Sequence, residues 1–123
     1  MNILVVEDHP VICEVLRLAL EPQGHRVTLA GDAATALARM DEAPPHLVIL
    51  DITLPGGLDG YDICRHIRSH ERLKRAVVYM LSARAVLEDQ VEARRAGANR
   101  YFVKPFSALA LLAAVDQEAR HHG

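Results

Sequence analysis

The chain of 123 residues has only two cysteines, no long apolar segment and no large excess of charge of one sign. Cys13 and Cys64 show no C-x-x-C spacing, so we expect reduced thiols rather than a disulfide or a zinc site. No apolar segment approaches the ~20 residues that span a bilayer. Met1 and Asn2 lead directly into an apolar run, without the charged start of a signal peptide. These absences predict a soluble, cytoplasmic protein without a membrane anchor.

The charge balance also excludes a class of partner. A formal net charge of −2 gives no overall attraction to nucleic acid or to anionic membranes. The most basic stretch, residues 65–75, is typical of the solvated end of a helix. Within it, His66 and His70 have the spacing of two helical metal ligands, but no third ligand stands nearby in the sequence. We therefore expect neither direct nucleic-acid binding nor a metal site at these histidines.

Half of the residues are hydrophobic and 24% are charged, which is typical of one folded domain with a single core. The chain shows no repeat, low-complexity tract or linker. We expect one domain over residues 1–123 with no output domain in this chain. The sequence leaves open whether the chain stands alone or belongs to a longer protein.

Short apolar runs alternate with helical patterns from end to end. Strands are predicted at residues 2–6, 25–30, 46–50, 76–81 and 100–103, the second as a more exposed edge strand. Helices are predicted at residues 10–20, 33–42, 61–70 and 86–96, with a fifth helix capped by Ser107. Short links between such units favour right-handed crossovers. The pattern predicts an α/β domain with a doubly wound, five-stranded parallel sheet and helices on both faces.

Four of the apolar runs stop abruptly at polar residues. The runs are followed by Glu7 and Asp8, by Asp51, by Ser82 and by Lys104, respectively. Runs of this kind predict inner strands that are buried on both faces. The carboxyl ends of parallel strands line one edge of the sheet, where ligands bind. The sequence therefore predicts that these polar side chains meet in one crevice.

The chemistry of this set indicates a divalent cation and a phosphoryl group. Glu7, Asp8 and Asp51 would repel one another unless a cation lay among them. Mg²⁺, for which Mn²⁺ can substitute, prefers such hard oxygen ligands together with substrate phosphate. Aspartate can also attack phosphorus as a nucleophile. Lys104 and the cation would then neutralise charge on the phosphoryl oxygens, and the Ser82 hydroxyl would donate a hydrogen bond to one of them.

The ordered set of motifs resembles the receiver domain of two-component response regulators over essentially the whole chain. The matching segments are Glu7-Asp8, Asp51, Ser82-Ala83, Tyr101 and Lys104-Pro105-Phe106. The resemblance implies a flavodoxin-like strand order 2-1-3-4-5. It also implies that Asp51 is the phosphoacceptor.

The resemblance further implies roles for the other site residues. Glu7, Asp8 and Asp51 would bind Mg²⁺, and the backbone carbonyl of Thr53 would complete the site. Lys104 would bind the phosphoryl group, and its bond to Pro105 is expected to be cis.

Four further residues carry implied regulatory roles. Ser82 and Tyr101 would form the switch pair, in which Tyr101 turns inward once the Ser82 hydroxyl is drawn towards the phosphoryl group. Thr53 and Arg84 stand at positions that tune self-dephosphorylation, and we expect Arg84 to affect the access of water to the acyl phosphate.

The implied function is a signalling switch with protein partners. A histidine kinase or phosphotransfer protein would supply the phosphoryl group, and the domain would catalyse only its own phosphorylation and dephosphorylation. The output surface would consist of the fourth helix, fifth strand and fifth helix, residues 84–112, which would contact a downstream effector. The chain would be a monomer or a phosphorylation-dependent homodimer.

One departure and two alternatives accompany this interpretation. The loop from Pro55 to Gly60 is one residue longer than is usual in the family, next to the proposed metal site. A Mg²⁺-dependent phosphohydrolase with Asp51 as nucleophile is the main alternative, but it normally needs an acid where this chain has Thr53. A nucleotide- or flavin-binding domain would need a glycine-rich loop after the first strand, which the chain lacks.

Overall fold

The computed structural model describes residues 1–122. Five strands alternate with five helices, and a short 3₁₀ turn, Glu21–Gln23, follows the first helix. The strands are β1 (Asn2–Val6), β2 (Arg26–Ala30), β3 (Leu47–Asp51), β4 (Val77–Ser82) and β5 (Arg100–Val103). The helices are α1 (Pro10–Leu20), α2 (Ala33–Glu42), α3 (Gly60–Ser69), α4 (Leu87–Ala96) and α5 (Ala108–His122). Within residues 1–122, no helix is long and apolar enough to cross a membrane.

The strands form one parallel sheet in the order β2-β1-β3-β4-β5. This order confirms the predicted doubly wound topology. The chain reverses its direction of travel across the sheet between β1 and β3, which is where such folds have a crevice at the carboxyl ends of the strands.

Alternate residues of the inner strands face opposite sides of the sheet, and helices cover both sides. One hydrophobic cluster joins Leu4, Val48 and Met80 to residues of α2, α3 and α4. The other joins Ile49 and Tyr79, with their neighbours on the same face, to residues of α1 and α5. The central strand β3 is buried along its whole length, as its unbroken run of apolar residues predicts.

Two side chains and one glycine cap helix ends, and the predicted cap at Ser107 is among them. The Asp32 side chain accepts a hydrogen bond from the Thr35 amide at 2.7 Å, and Ser107 Oγ accepts one from the Ala110 amide at 3.1 Å. Gly97 ends α4 with a φ of 109°, in the left-handed region that glycine adopts without a steric penalty.

Two predictions need correction in part. The apolar run at residues 101–103 predicted an inner strand, but β5 lies at the edge of the sheet, as the strand order implied by the family resemblance requires, and residues 101–103 are only half-buried. The stretch 65–75 was expected to be the solvated end of a helix, and most of it is exposed, but Arg68 is half-buried and bonds to backbone carbonyls of the segments that follow α3 and α4. In both cases the tertiary neighbours, which periodicity does not reveal, determine the burial.

Candidate functional site

The polar residues that follow or end the strands lie together at the carboxyl edge of the sheet. Glu7 and Asp8 directly follow β1, Asp51 and Ser82 are the last residues of β3 and β4, and Lys104 directly follows β5. These four strands are consecutive neighbours in the sheet, so the topology brings their ends side by side. We call the group of carboxylates from Glu7, Asp8 and Asp51 the acid pocket.

Lys104 lies between two of these carboxylates. Its Nζ is 2.6 Å from Glu7 Oε1 and 3.1 Å from Asp51 Oδ2. Glu7 and Asp51 are buried, with 1% and 5% of their surfaces exposed, whereas Asp8 is exposed. The acid pocket therefore has a closed side, where the ammonium group lies, and an open side at Asp8.

Burial and neighbouring charge shift the pKa values at this site. Burial raises the pKa of Glu7, and the nearby Asp51 adds to the increase, although the hydrogen bond from Lys104 opposes it. Burial also disfavours the ammonium form of Lys104, but its hydrogen bonds to Glu7 and Asp51 outweigh that effect, so its pKa is raised. Lys104 therefore stays charged and offsets part of the repulsion between the two carboxylates.

The acid pocket has the chemistry of a site for a hard divalent cation. Glu7, Asp8 and Asp51 each offer a carboxylate oxygen, and these oxygens all lie within 4.8 Å of one another. Oxygen donors in this number, with one side open to water and phosphate, suit Mg²⁺. The residues present therefore fit the cation that the sequence predicts.

The backbone around Asp51 is tightly held. Asp51 Oδ1 accepts a hydrogen bond from the Thr53 amide at 3.2 Å, and the Ile52 carbonyl accepts one from the Gly60 amide at 2.7 Å. A Cβ atom on Gly60 would lie 2.7 Å from the Asp51 carbonyl oxygen and from Ile52 Cα. Only glycine therefore fits where the loop returns to the end of β3, a constraint that sequence analysis did not identify.

The start of α3 also supports this loop. Asp59 and Asp62 form a reciprocal capping box, in which each side chain accepts a hydrogen bond of 3.0 Å from the other residue's amide. The Asp-x-x-Asp spacing before the helix could have revealed this cap.

Ser82 and Tyr101 both contact the loop between β4 and α4, residues 83–86. Ser82 is 7% exposed, and its Oγ accepts a hydrogen bond from the Arg84 amide at 3.0 Å. The Tyr101 hydroxyl donates to the Arg84 carbonyl at 2.7 Å, while its half-buried ring packs against the core beside the sheet. Arg84 itself is exposed, and its guanidinium group lies against Asp89 rather than against the acid pocket.

The turn after β5 fixes Lys104. The Lys104–Pro105 peptide bond is cis. The Lys104 amide donates a hydrogen bond to the Ser82 carbonyl at 2.7 Å, which holds the start of the turn against the end of β4. The Lys104 side chain can therefore reach across the strand ends to Asp51 and Glu7.

Comparison with known proteins agrees with this geometry. Residues 3–116 match the family model of the response regulator receiver domain. The transcriptional regulatory protein CseB of Streptomyces coelicolor is 40% identical over 122 residues, which cover 99% of this chain and 50% of that protein. The DNA-binding response regulator MtrA of Mycolicibacterium smegmatis is 36% identical over 121 residues, which cover 98% of this chain and 51% of that protein.

A solved structure shows the same fold. A putative response regulator from Chloroflexus aurantiacus superposes with a TM-score of 0.88 at 33% identity, and the match covers 94% of each chain. The doubly wound sheet with an acid pocket at its carboxyl edge thus agrees with the family match. The chain belongs to the response regulator receiver domains of two-component systems. It spans about half the length of the curated relatives that it matches.

Proposed function

We propose that this domain is a Mg²⁺-dependent phosphorylation switch with Asp51 as the phosphoacceptor. The observation that carries the proposal is the convergence of three carboxylates and the Lys104 ammonium at the ends of adjacent strands. Asp51 is the carboxylate at the end of the central strand β3, between Lys104 on one side and the open side of the acid pocket on the other. Membership of the receiver family supports the same role.

Glu7, Asp8 and Asp51, with the backbone carbonyl of Thr53, would hold the Mg²⁺ ion. When bound, the ion supplies positive charge to the phosphoryl oxygens in the transition state. Mn²⁺ has the same preference for oxygen ligands and would substitute.

In the covalent step, a phosphoryl group passes from a histidine nitrogen of the donor to a carboxylate oxygen of Asp51. A carboxylate oxygen of Asp51 attacks the phosphorus of a phosphohistidine, the P–O bond forms, and the P–N bond to the donor imidazole breaks. Lys104 Nζ, 3.1 Å from Asp51 Oδ2, neutralises charge on the transferred group. Hydrolysis of the acyl phosphate by water returns Asp51 and inorganic phosphate, so the domain catalyses only its own modification.

The phosphoryl group would act through Ser82 and Tyr101. The Ser82 hydroxyl, buried at the end of β4, donates a hydrogen bond to a phosphoryl oxygen. The resulting shift of the loop after β4 changes the contact between Tyr101 and the Arg84 carbonyl. We call the surface formed by α4, β5 and α5 the output face, and it would change its affinity for a partner.

The partners follow from this chemistry. The phosphoryl donor is a sensor histidine kinase or a phosphotransfer protein, and an effector protein or a second copy of the chain binds the output face. The named relatives are DNA-binding or transcriptional regulators. DNA binding in a protein of that kind would belong to a segment other than this domain, whose net charge of −2 does not favour it.

Incubation with a small phosphodonor and Mg²⁺ tests the proposal. We expect at most one acid-labile phosphate per chain, none in Asp51→Asn, and almost none when a chelator removes Mg²⁺. Many turnovers of a phosphate ester would instead support the phosphohydrolase alternative, which family membership does not favour. Stable phosphate on Asp51→Asn would contradict the assignment of the acceptor.

A further inference from the structure

Arg84 contacts three separate parts of the proposed switch. Its amide donates to Ser82 Oγ at 3.0 Å, and its carbonyl accepts from the Tyr101 hydroxyl at 2.7 Å. Its Nε lies 2.9 Å from Oδ2 of Asp89, in the first turn of α4. Arg84 therefore contacts the end of β4, the Tyr101 side chain on β5 and the start of α4.

The contact with Asp89 differs from an ordinary surface ion pair. Asp89 Oδ2 is buried, and no group within residues 1–122 donates a hydrogen bond to it with good geometry. The Asp89 side chain is only 23% exposed, whereas the Arg84 side chain is 71% exposed. The Arg84 guanidinium group thus provides the charge compensation for a carboxylate oxygen that water does not reach.

The remaining attachments of α4 are weak enough for this contact to matter. The helix buries only Ala93 and Ala96 in the core, and its N-cap residue Val86 offers no side-chain hydrogen bond. Leu87 and Val91 are exposed. A helix held by two small buried side chains moves at little cost in free energy, so single polar contacts can determine its position.

Two other side-chain contacts join α4 to α3. Arg65 pairs with Glu92 at 2.9 Å, and the Tyr61 hydroxyl donates to the Asp89 carbonyl at 3.4 Å. A further contact joins α4 to the loop after β4, because Gln90 Nε2 donates to the Ala85 carbonyl at 3.4 Å, but this exposed bond carries no charge compensation and does not touch Ser82 or Tyr101. Arg84 makes the ion pair that links this loop to the first turn of α4.

We propose that Arg84 is a positioning residue that transmits the state of Ser82 to α4 through its ion pair with Asp89. When the Ser82 hydroxyl turns towards a phosphoryl group, the hydrogen bond to the Arg84 amide changes. The Arg84 carbonyl and guanidinium group then move together, which alters the site that holds Tyr101 and the anchor of the first turn of α4. This inference rests on the proposed function, because it needs a phosphoryl group at Asp51.

Asp89→Asn tests the ion pair without changing Arg84 or the acid pocket. We expect amide hydrogen exchange in the first turns of α4 to become about threefold faster in the unmodified protein, given the modest strength of partly exposed pairs. With beryllofluoride and Mg²⁺ as a phosphoryl mimic, we expect the amide NMR shifts near Asp51 and Ser82 to remain as in the wild type. We expect the shifts in α4 to be smaller than in the wild type.

Glu88→Gln is the matched control, because it removes a neighbouring first-turn carboxylate that is exposed and makes no contact with Arg84. If Glu88→Gln sped up hydrogen exchange in α4 as much as Asp89→Asn does, the loss of a charge near the helix dipole would explain the effect without the ion pair. That result would overturn the proposal. The double variant Arg84→Ala/Asp89→Asn is expected to be no worse in α4 exchange than Arg84→Ala alone, and additive effects would overturn the proposal.

The experiment separates this inference from the function on which it rests. If wild-type protein shows shifts at Asp51 and Ser82, and Asp89→Asn transmits them to α4 unchanged, the role of Arg84 is wrong and the switch stands. If wild-type protein shows no shifts at Asp51 with beryllofluoride and Mg²⁺, the proposed function itself is wrong.

Discussion

At the residue scale, the ammonium of Lys104 contacts two carboxylates, at 2.6 Å from Glu7 and 3.1 Å from Asp51. The Glu7 side chain has no exposed surface, so it depends on this partner more than a surface carboxylate would. Mg²⁺ and Lys104 would both compensate the same negative charge. The stability of the protein should therefore depend on the two cations together.

Lys104→Met is expected to lower the free energy of unfolding without Mg²⁺ by about 1–3 kcal/mol, because it leaves Glu7 buried without its partner. Added Mg²⁺ should stabilise the variant more than the wild type, since a competing cation is gone. Urea unfolding with and without Mg²⁺ measures both effects. Lys74→Met is the control, because Lys74 pairs at the surface with Glu71, which is 87% exposed. Equal stabilisation of wild type and Lys104→Met by Mg²⁺ would refute the competition.

Gly60 gives a second prediction at this scale. Gly60→Ala places a Cβ against the Asp51 carbonyl, so the end of β3 must shift. We expect a loss of about 1–3 kcal/mol in unfolding free energy and slower phosphorylation of Asp51. Gly57→Ala is the control in the same loop, because a Cβ there meets no atom within 4 Å. If both variants were as stable and as reactive as the wild type, the close approach at Gly60 would affect neither stability nor phosphorylation.

At the scale of elements, Arg68 ties together three segments at the amino-terminal end of the sheet. It lies on α3, and its Nη1 donates to the carbonyls of Lys74 at 2.8 Å and Ala76 at 2.6 Å, just before β4. Its Nη2 donates to the Gly97 carbonyl at 2.7 Å and to Asn99 Oδ1 at 2.9 Å, in the turn between α4 and β5. A single guanidinium group thus satisfies carbonyls that have no partner in a helix or strand.

Arg68→Met should destabilise the fold by about 2–3 kcal/mol, because hydrogen bonds from a charged donor are lost while the aliphatic stem stays. Arg72→Met is the comparison, since Arg72 is an exposed residue of the same basic stretch. Thermal or urea unfolding of both variants gives the difference. If Arg68→Met were as stable as Arg72→Met, these hydrogen bonds would make no net contribution to the free energy of unfolding.

The elements also show how far the sequence alone leads. Unbroken apolar runs identified β1, β3 and β4, and the polar residues after them indicated the acid pocket, because burial on both faces leaves a clear compositional signal. The predicted ends of most elements lie within one residue of those observed. The apolar run alone gave β5 as an inner strand, because Tyr101, Phe102 and Val103 are as apolar as one, and only the family resemblance implied its edge position.

Long-range polar contacts were not predictable in the same way. Arg68 resembled a surface arginine, since nothing near it in the sequence indicates Gly97, which is 29 positions away. Such contacts depend on the packing of helices whose relative positions periodicity does not fix. The cap at Asp59 could have been predicted, because the Asp-x-x-Asp spacing is visible in the sequence, although sequence analysis did not identify it.

At the scale of the whole molecule, three histidines should lower the stability on mild acidification, whereas the raised pKa of Glu7 contributes in the opposite direction. Burial lowers the pKa values of His25, His46 and His66 below the ordinary value of imidazole, with further lowering by the Met1 ammonium at His25 and by neighbouring imidazoles at His46 and His66. Asp116 opposes the effect at His25. The folded state therefore favours neutral imidazole at all three positions.

Since the folded pKa values are depressed, this stability is fully present above the unfolded pKa of about 6.5 and is lost as the pH falls towards the folded values. Urea unfolding at about pH 7.5 and about pH 5.5 measures the loss. His46→Gln should flatten the dependence, because the Asn2 amide donates to His46 Nδ1 at 2.9 Å and protonation must break that bond. An unchanged pH dependence in His46→Gln would exclude His46 as a contributor.

Charge added at Asp51 should change the structure of the output face. The most direct test is a comparison of amide NMR spectra of the wild-type domain before and after addition of beryllofluoride and Mg²⁺. We expect shifts at Asp51, Ser82 and Tyr101 and through α4, all absent in Asp51→Asn. Shifts confined to the acid pocket, or equal shifts in Asp51→Asn, would show that the phosphoryl site and the output face are not coupled.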